Sequence, residues 1–153
     1  PSDSFTATAK LKLISKENNQ LGGLIMMGKD YTALVVKRVG EGFVLQQMTC
    51  KDADKGHAAT VTLLADLPKT GQDDNDYQFA IHEEIYLRMR VDKGIVRFAF
   101  SRNGKQFTET GTPFTMREGK WIGAKIGFVA QEPQGNSNRG WLDIDRFDIT
   151  NNP

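Results

Sequence analysis

Residues 84–102 read Glu84-Ile-Tyr-Leu-Arg-Met-Arg-Val-Asp-Lys-Gly-Ile-Val-Arg-Phe-Ala-Phe-Ser-Arg102, two runs of alternating side chains joined by Asp92-Lys93-Gly94. In the first run Ile85, Leu87, Met89 and Val91 fall on one face and Tyr86, Arg88, Arg90 and Asp92 on the other. In the second, Val96, Phe98 and Phe100 oppose Arg97, Ala99 and Ser101. A period of two is the signature of a strand with one face in the core, and an Asp/Gly pair between two such runs is hairpin chemistry. Asn103-Gly104 supplies the next turn.

Outward from this hairpin the same grammar repeats. Strands are expected near Phe5–Ile14, Leu21–Gly28, Tyr31–Arg38, Phe43–Cys50, Ala58–Ala65, Glu84–Asp92, Ile95–Arg102, Trp121–Gln131 and Trp141–Thr150. Short β-rich runs between Gly, Asn and Asp clusters, with no helical periodicity, define an all-β, antiparallel two-sheet β-sandwich. Both sheets are expected to turn polar faces outward. In the last run Leu142 and Ile144 alternate with Trp141, Asp143 and Asp145, then the apolar phase slips to Phe147 and Ile149. A one-residue slip requires a bulge near Asp145-Arg146.

The chain has 153 residues with 39% hydrophobic side chains, enough for one core that hides roughly 70% of the unfolded surface without metal or disulfide. Residues 1–153 therefore read as a single sandwich domain. A chain opening Pro1-Ser2-Asp3, with neither initiator Met nor signal peptide, reads as a processed or excised piece. Formal charge is +1, so composition directs it to no nucleic acid and no membrane, and no apolar run approaches the ~20 residues of a spanning helix. One cysteine, Cys50, permits no internal disulfide and leaves the compartment open.

Several residues invite chemistry. Asp52 and Asp54 resemble the start of a calcium loop, but Leu63 stands where the closing acid belongs, and Asp73, Asp74 and Asp76 crowd another loop. Both read as solvated turns with no metal site and no cofactor, a structural calcium being the alternative. Cys50 shares the apolar phase of Val44 and Met48, which marks a buried thiol rather than a nucleophile served by His57. His82 has no second ligand nearby, and Asp143 and Asp145 lie on one strand rather than opposed across a cleft. No catalytic residue is assigned. The outward-phase polar residues Gln47, Tyr86, Arg88, Arg90, Lys125, Trp141 and Asp143 remain as candidates for contact with sugar, pairing aromatic rings with fixed hydrogen-bonding groups.

Three ordered segments carry a resemblance: Tyr86-Leu-Arg-Met-Arg-Val-Asp92, Phe98-Ala-Phe-Ser-Arg-Asn-Gly-Lys-Gln-Phe107 and Phe114-Thr-Met-Arg-Glu-Gly-Lys-Trp-Ile-Gly-Ala-Lys-Ile-Gly-Phe128. With Leu24–Tyr31, Thr49–Gly56 and Trp141–Phe147, they make nearly the whole chain resemble the C-terminal domain of glycoside hydrolase family 43, of β-xylosidase and α-L-arabinofuranosidase type. The resemblance implies a concanavalin A-like jelly roll. It also implies a partner, a five-bladed catalytic β-propeller that holds the catalytic carboxylates, and a xylo- or arabino-oligosaccharide substrate. By position, the loop that leans over the propeller is Lys51, Asp52, Asp54, Lys55 and His57, offering polar contact rather than an aromatic platform. The expected function is a non-catalytic accessory module of an enzyme acting on xylan or arabinoxylan. The alternative is a free-standing carbohydrate-binding module for plant cell-wall polysaccharide; a small hydrolase in its own right ranks last.

Overall fold

The computed structural model describes residues 3–68, 71–72, 80–117, 119, 123–133, 135 and 139–152. The strands are β1 (Ser4–Ser15), β2 (Leu21–Met27), β3 (Tyr31–Val39), β4 (Gly42–Cys50), β5 (Thr60–Leu67), β6 (Gly71–Gln72), β7 (Ile81–Asp92), β8 (Ile95–Ser101), β9 (Thr108–Thr115), β10 (Lys125–Gln131) and β11 (Trp141–Asn151). They form two antiparallel sheets. Sheet A runs β11-β1-β7-β8-β9, with β6 beside β7, and sheet B runs β10-β2-β3-β4-β5.

The expected alternation positions the core. Ile85, Leu87, Met89, Val91, Val96 and Phe98 from sheet A meet Leu24, Met26, Leu34, Val36, Phe43 and Leu45 from sheet B in one buried cluster. The bulge falls where the phase slip requires it: Lys10 pairs with Arg146 and Leu11 with Ile144, so Asp145 is the extra residue of β11. This turns Phe147 toward the sandwich, where its ring meets Phe128 of β10 edge-on at 5.0 Å. Both belong to strands at the ends of their sheets among the described residues, and Phe128, Ile144, Phe147 and Ile149 stay 36–43% exposed.

Two strands differ from the sequence reading. β9 (Thr-Glu-Thr-Gly-Thr-Pro-Phe-Thr) lacks apolar alternation and buries only Phe114; as an edge strand it tolerates Pro113, whose missing N–H an inner strand would need. β6 is a two-residue pairing too short to leave a pattern. The expected start of β10 at Trp121 and the cluster Asp73, Asp74 and Asp76 lie outside the described residues.

The expectation of two polar outer faces holds for sheet A alone. The outer face of sheet B carries a second cluster, with Leu21, Ile25, Ala33 and Val35 buried and Tyr31, Met48 and Val129 packed against them. Gln47 is also corrected. It points between the sheets, 2% exposed, where its amide donates to Thr112 O at 2.9 Å and accepts from the Thr112 N–H at 2.9 Å. A Cβ on Gly111 would stand 2.4 Å from Gln47 Oε1, and the φ of +73° there suits glycine, so this bridge from β4 to β9 depends on both residues. An outward Gln47 would have forfeited the pairing that a buried amide requires.

Candidate functional site

The loop from Lys51 to His57 follows β4 and contains a 3-10 turn over Ala53–Lys55, opened by Asp52 in the left-handed region at φ 55°. Its position is set by two residues that the sequence reading did not single out. Asp30, between β2 and β3, is fully buried and receives Arg117 Nε at 2.8 Å and Nη2 at 2.5 Å, a two-pronged guanidinium–carboxylate contact. Asp30 also accepts the Asp52 backbone N–H at 2.8 Å. Arg117 reaches onward to Asp52 Oδ1 at 2.9 Å, and Lys55 Nζ lies 3.2 Å from that carboxylate. Lys51 donates to Thr115 O at 2.8 Å, with its ammonium 4.3 Å from the centre of the Phe114 ring. The Cys50 thiol donates to His57 O at 3.0 Å, which places the buried cysteine in a structural contact.

Arg117 holds the Asp30 carboxyl far below the usual carboxylate range, against the opposing pull of burial, and the Asp52 N–H adds to the effect. Asp52 is lowered chiefly by Arg117 and then by Lys55. Carboxylates so stabilised in their ionised form hold no proton near neutrality and are unsuited to general-acid work. The charges satisfying them belong to the protein's own arginine and lysines. Asp54, Lys55 and His57 are exposed and form the outer rim of the loop.

Of the proposed sugar contacts, the structure brings together Tyr86, Arg88 and Arg90 on the outer face of sheet A. A groove of about 360 Å³ is lined by Thr6, Thr8, Tyr86, Arg88, Gly104 and Arg146, among others. A second, of about 280 Å³, continues from Thr6 and Arg88 to Arg90, Arg97, Phe107 and Glu109. Arg88 donates Nε–H to Thr8 Oγ1 at 3.0 Å and lies 3.4 Å from the centre of the Phe107 ring. The turn after β8 brings Phe107 there: Ser101 Oγ accepts the Gly104 N–H, while Asn103 Oδ1 accepts those of Lys105 and Gln106. Asp143 lies farther along β11 opposite Lys12. Trp141 begins β11, half-buried beside Leu13, Gln20 and Gly140, with Lys16 Nζ 5.9 Å from its ring centre. Lys125 lies in the other sheet opposite Met27. Gln47, Lys125 and Trp141 are therefore not part of the groove. Thr6, Thr8, Arg97 and Phe107 are, and of these Phe107 had no strand phase to reveal it.

The outer face of sheet B is different in kind. The pairing aligns Gly127, Ile25, Ala33, Met48 and Val61 in one row across all five strands, and Val129, Gly23, Val35, Gln46 and Leu63 in the next. At their margins Met27 is 49%, Val61 52% and Leu63 63% exposed. The Lys51–His57 loop leaves β4 at the same end as Cys50, which follows Met48 on this face.

Residues 1–150 match the family model of the Beta xylosidase C-terminal Concanavalin A-like domain. No curated protein sequence matches the chain. Among solved structures, a bifunctional GH43-CE protein of Bacteroides eggerthii superposes with TM-score 0.74 at 15% identity, over 99% of this chain and 18% of that one. The GH43 protein BlXynB of Bacillus licheniformis gives 0.69 at 14%, over 98% and 28%. A functionally unknown protein of Saccharomyces cerevisiae gives 0.69 at 13%, over 100% and 72%. Likeness at such identities speaks to fold, and the chain spans less than a third of these two GH43 chains.

Proposed function

Since the chain belongs to the family of C-terminal concanavalin A-like domains of family 43 β-xylosidases, we propose that it is the non-catalytic accessory module of such an enzyme, seated on the catalytic propeller through the outer face of sheet B. The observation that carries this reading is the apolar cluster of Leu21, Ile25, Ala33 and Val35 on this face, bordered by exposed Met27, Val61 and Leu63. Contiguous apolar surface on a soluble domain is a site of association, and a partner domain of the same chain covers it at the least entropic cost. The Lys51–His57 loop, held by Asp30 and Arg117, stands at one end of this face and supplies a fixed charged rim. Its part is to meet the mouth of the propeller, and the enzyme's substrate is xylan or arabinoxylan.

The isolated chain is expected to release no sugar from aryl xylosides or arabinofuranosides, while Val61→Asp/Leu63→Asp in the parent enzyme detaches the module and exposes the linker to protease. Turnover by the isolated chain that a single carboxylate substitution abolishes would overturn the non-catalytic assignment. Unchanged protection in the double variant would overturn the docking face.

A further inference from the structure

The arginines on the opposite face pose a separate question. Arg90 of β7 stands directly across from Arg97 of β8. Like charges in that relation destabilise a sheet unless something anionic lies between them. Arg97 also sits where the β8–β9 register breaks, with Val96 opposite Phe114 and Phe98 opposite Thr110, so no single β9 residue faces it. Irregularities of this kind commonly re-aim a side chain. Elsewhere on the same face, cations have partners: Lys10 meets Glu84 at 3.3 Å and Asp145 at 2.7 Å, and Arg146 pairs with Asp148. Among the described residues, no carboxylate lies within salt-bridge distance of Arg88, Arg90 or Arg97, although Glu109 and the Arg146-paired Asp148 line the two sections of the groove.

The ring faces in this groove are already engaged. Phe107 is covered by the Arg88 guanidinium, and the Tyr86 ring packs so closely on Gly104 that a Cβ there would lie 2.7 Å from it. A neutral pyranose that relies on stacking finds these faces taken, whereas a carboxylate finds guanidinium edges. Arg88 is oriented by Phe107 and Thr8, and its terminal nitrogens can present the planar fork that grips carboxylates.

We propose that the outer face of sheet A is a binding site for hexuronate units of an acidic glycan, gripped by Arg88, Arg90 and Arg97. The choice of a sugar acid over other anions rests on the reading of the chain as part of a glycan-degrading enzyme. The site lies on the opposite sheet from the proposed propeller contact, so the two can fail separately.

The test is calorimetry on the 153-residue chain at low salt, comparing xylotetraose with the same oligosaccharide bearing one glucuronate. The acidic sugar is expected to bind at least tenfold more tightly and to weaken with added sodium chloride. Arg90→Ser, Arg97→Ser and Arg88→Lys should each reduce its affinity fivefold or more, the last by losing the fork while keeping the charge. Thermal melting is the control for folding: Arg97→Ser removes a like-charge opposition and should melt no lower than wild type. A melting point clearly below wild type would assign these arginines a structural role and overturn the site. So would equal affinity for both sugars, no binding at millimolar acidic sugar, or displacement by equimolar sodium sulfate, which would mark an unselective anion surface.

Discussion

The two outer faces of the sandwich are built from the same strand alternation, yet one is charged and the other largely apolar. On sheet A, Lys10, Glu84, Asp145, Arg146 and Asp148 neutralise one another in the open. On sheet B, the corresponding positions hold Leu21, Ile25, Ala33, Val35 and Met48, with Val61 and Leu63 left exposed at the edge. A sheet face gains nothing in solution from displaying leucine at 63% exposure, so the asymmetry carries information about what meets each side. At the end of the apolar side stands the Asp30–Arg117 lock, a buried carboxylate held by a guanidinium and the Asp52 N–H.

The largest loss is expected from Asp30→Ala. It strips a buried carboxylate from Arg117, Lys51 and the Asp52 N–H at once. Breaking a buried pair costs about 3–5 kcal/mol, reduced here to about 2–4 because Arg117 is half-exposed and water screens it. Denaturant unfolding reads the loss. The pH dependence follows in sign: because the folded-state pKa is depressed, the stabilisation is full above the unfolded carboxylate value near 4 and fades as pH falls below it. The gap between wild type and Asp30→Asn should thus be level from pH 8 to 5 and shrink progressively below about 4. A gap that widened in acid would contradict the lock.

Leu63→Asp sharpens the contrast between faces. In the isolated chain it should change stability by less than about 0.5 kcal/mol, since the side chain is mostly in water already. In the enzyme proposed above it should weaken docking on the catalytic domain by about 1–2 kcal/mol, the fraction of leucine burial that contact would add. Thermal scans of the module alone and of the whole enzyme separate these effects. A large loss in the module alone would make Leu63 part of the fold rather than of a contact.

Much of this architecture is legible in the amino-acid sequence. The Glu84–Arg102 hairpin and the slip after Asp145 dictated sheet A and its bulge, because period-two alternation assigns every side chain once a single register is known. The apolar face of sheet B was legible in principle: Leu21-Gly-Gly-Leu-Ile-Met-Met27 is apolar at both phases, which is how a strand covered on both sides reads. Such a run does not reveal which phase faces the core, and that is decided by pairing with β3 and β10. The lock was hidden for another reason. Asp30 and Arg117 are 87 residues apart, and an aspartate in a Gly-Lys-Asp-Tyr turn looks the same whether it caps a turn or meets a distant arginine.

Gln47 tests the inside against the outside at one position. An amide on a solvated face could be removed at almost no cost. One buried between the sheets, giving and receiving hydrogen bonds with Thr112, leaves an N–H and a carbonyl of β9 unmet when replaced by alanine. That penalty is about 1–3 kcal/mol. Hydrogen exchange at the Thr112 amide gives a local readout, expected to quicken in Gln47→Ala while β1 and β7 stay protected.

The smallest effect belongs to the charged face. Lys10 bridges Glu84 and Asp145, and both carboxylates hold its ammonium above the ordinary lysine range, yet all three groups border open water. Bringing long side chains into one geometry costs rotamer entropy, and salt screens the attraction, so exposed pairs of this kind contribute little. Lys10→Met keeps the aliphatic stem and should unfold at a denaturant midpoint close to wild type, with any difference disappearing as ionic strength rises. Asp30→Ala should keep most of its deficit under the same salt, because a carboxylate sealed under Arg117 and the Asp52 N–H is poorly reached by ions. If salt erased both differences alike, Asp30 would be as solvated as Lys10, and the loop beside sheet B would be no firmer than the opposite surface.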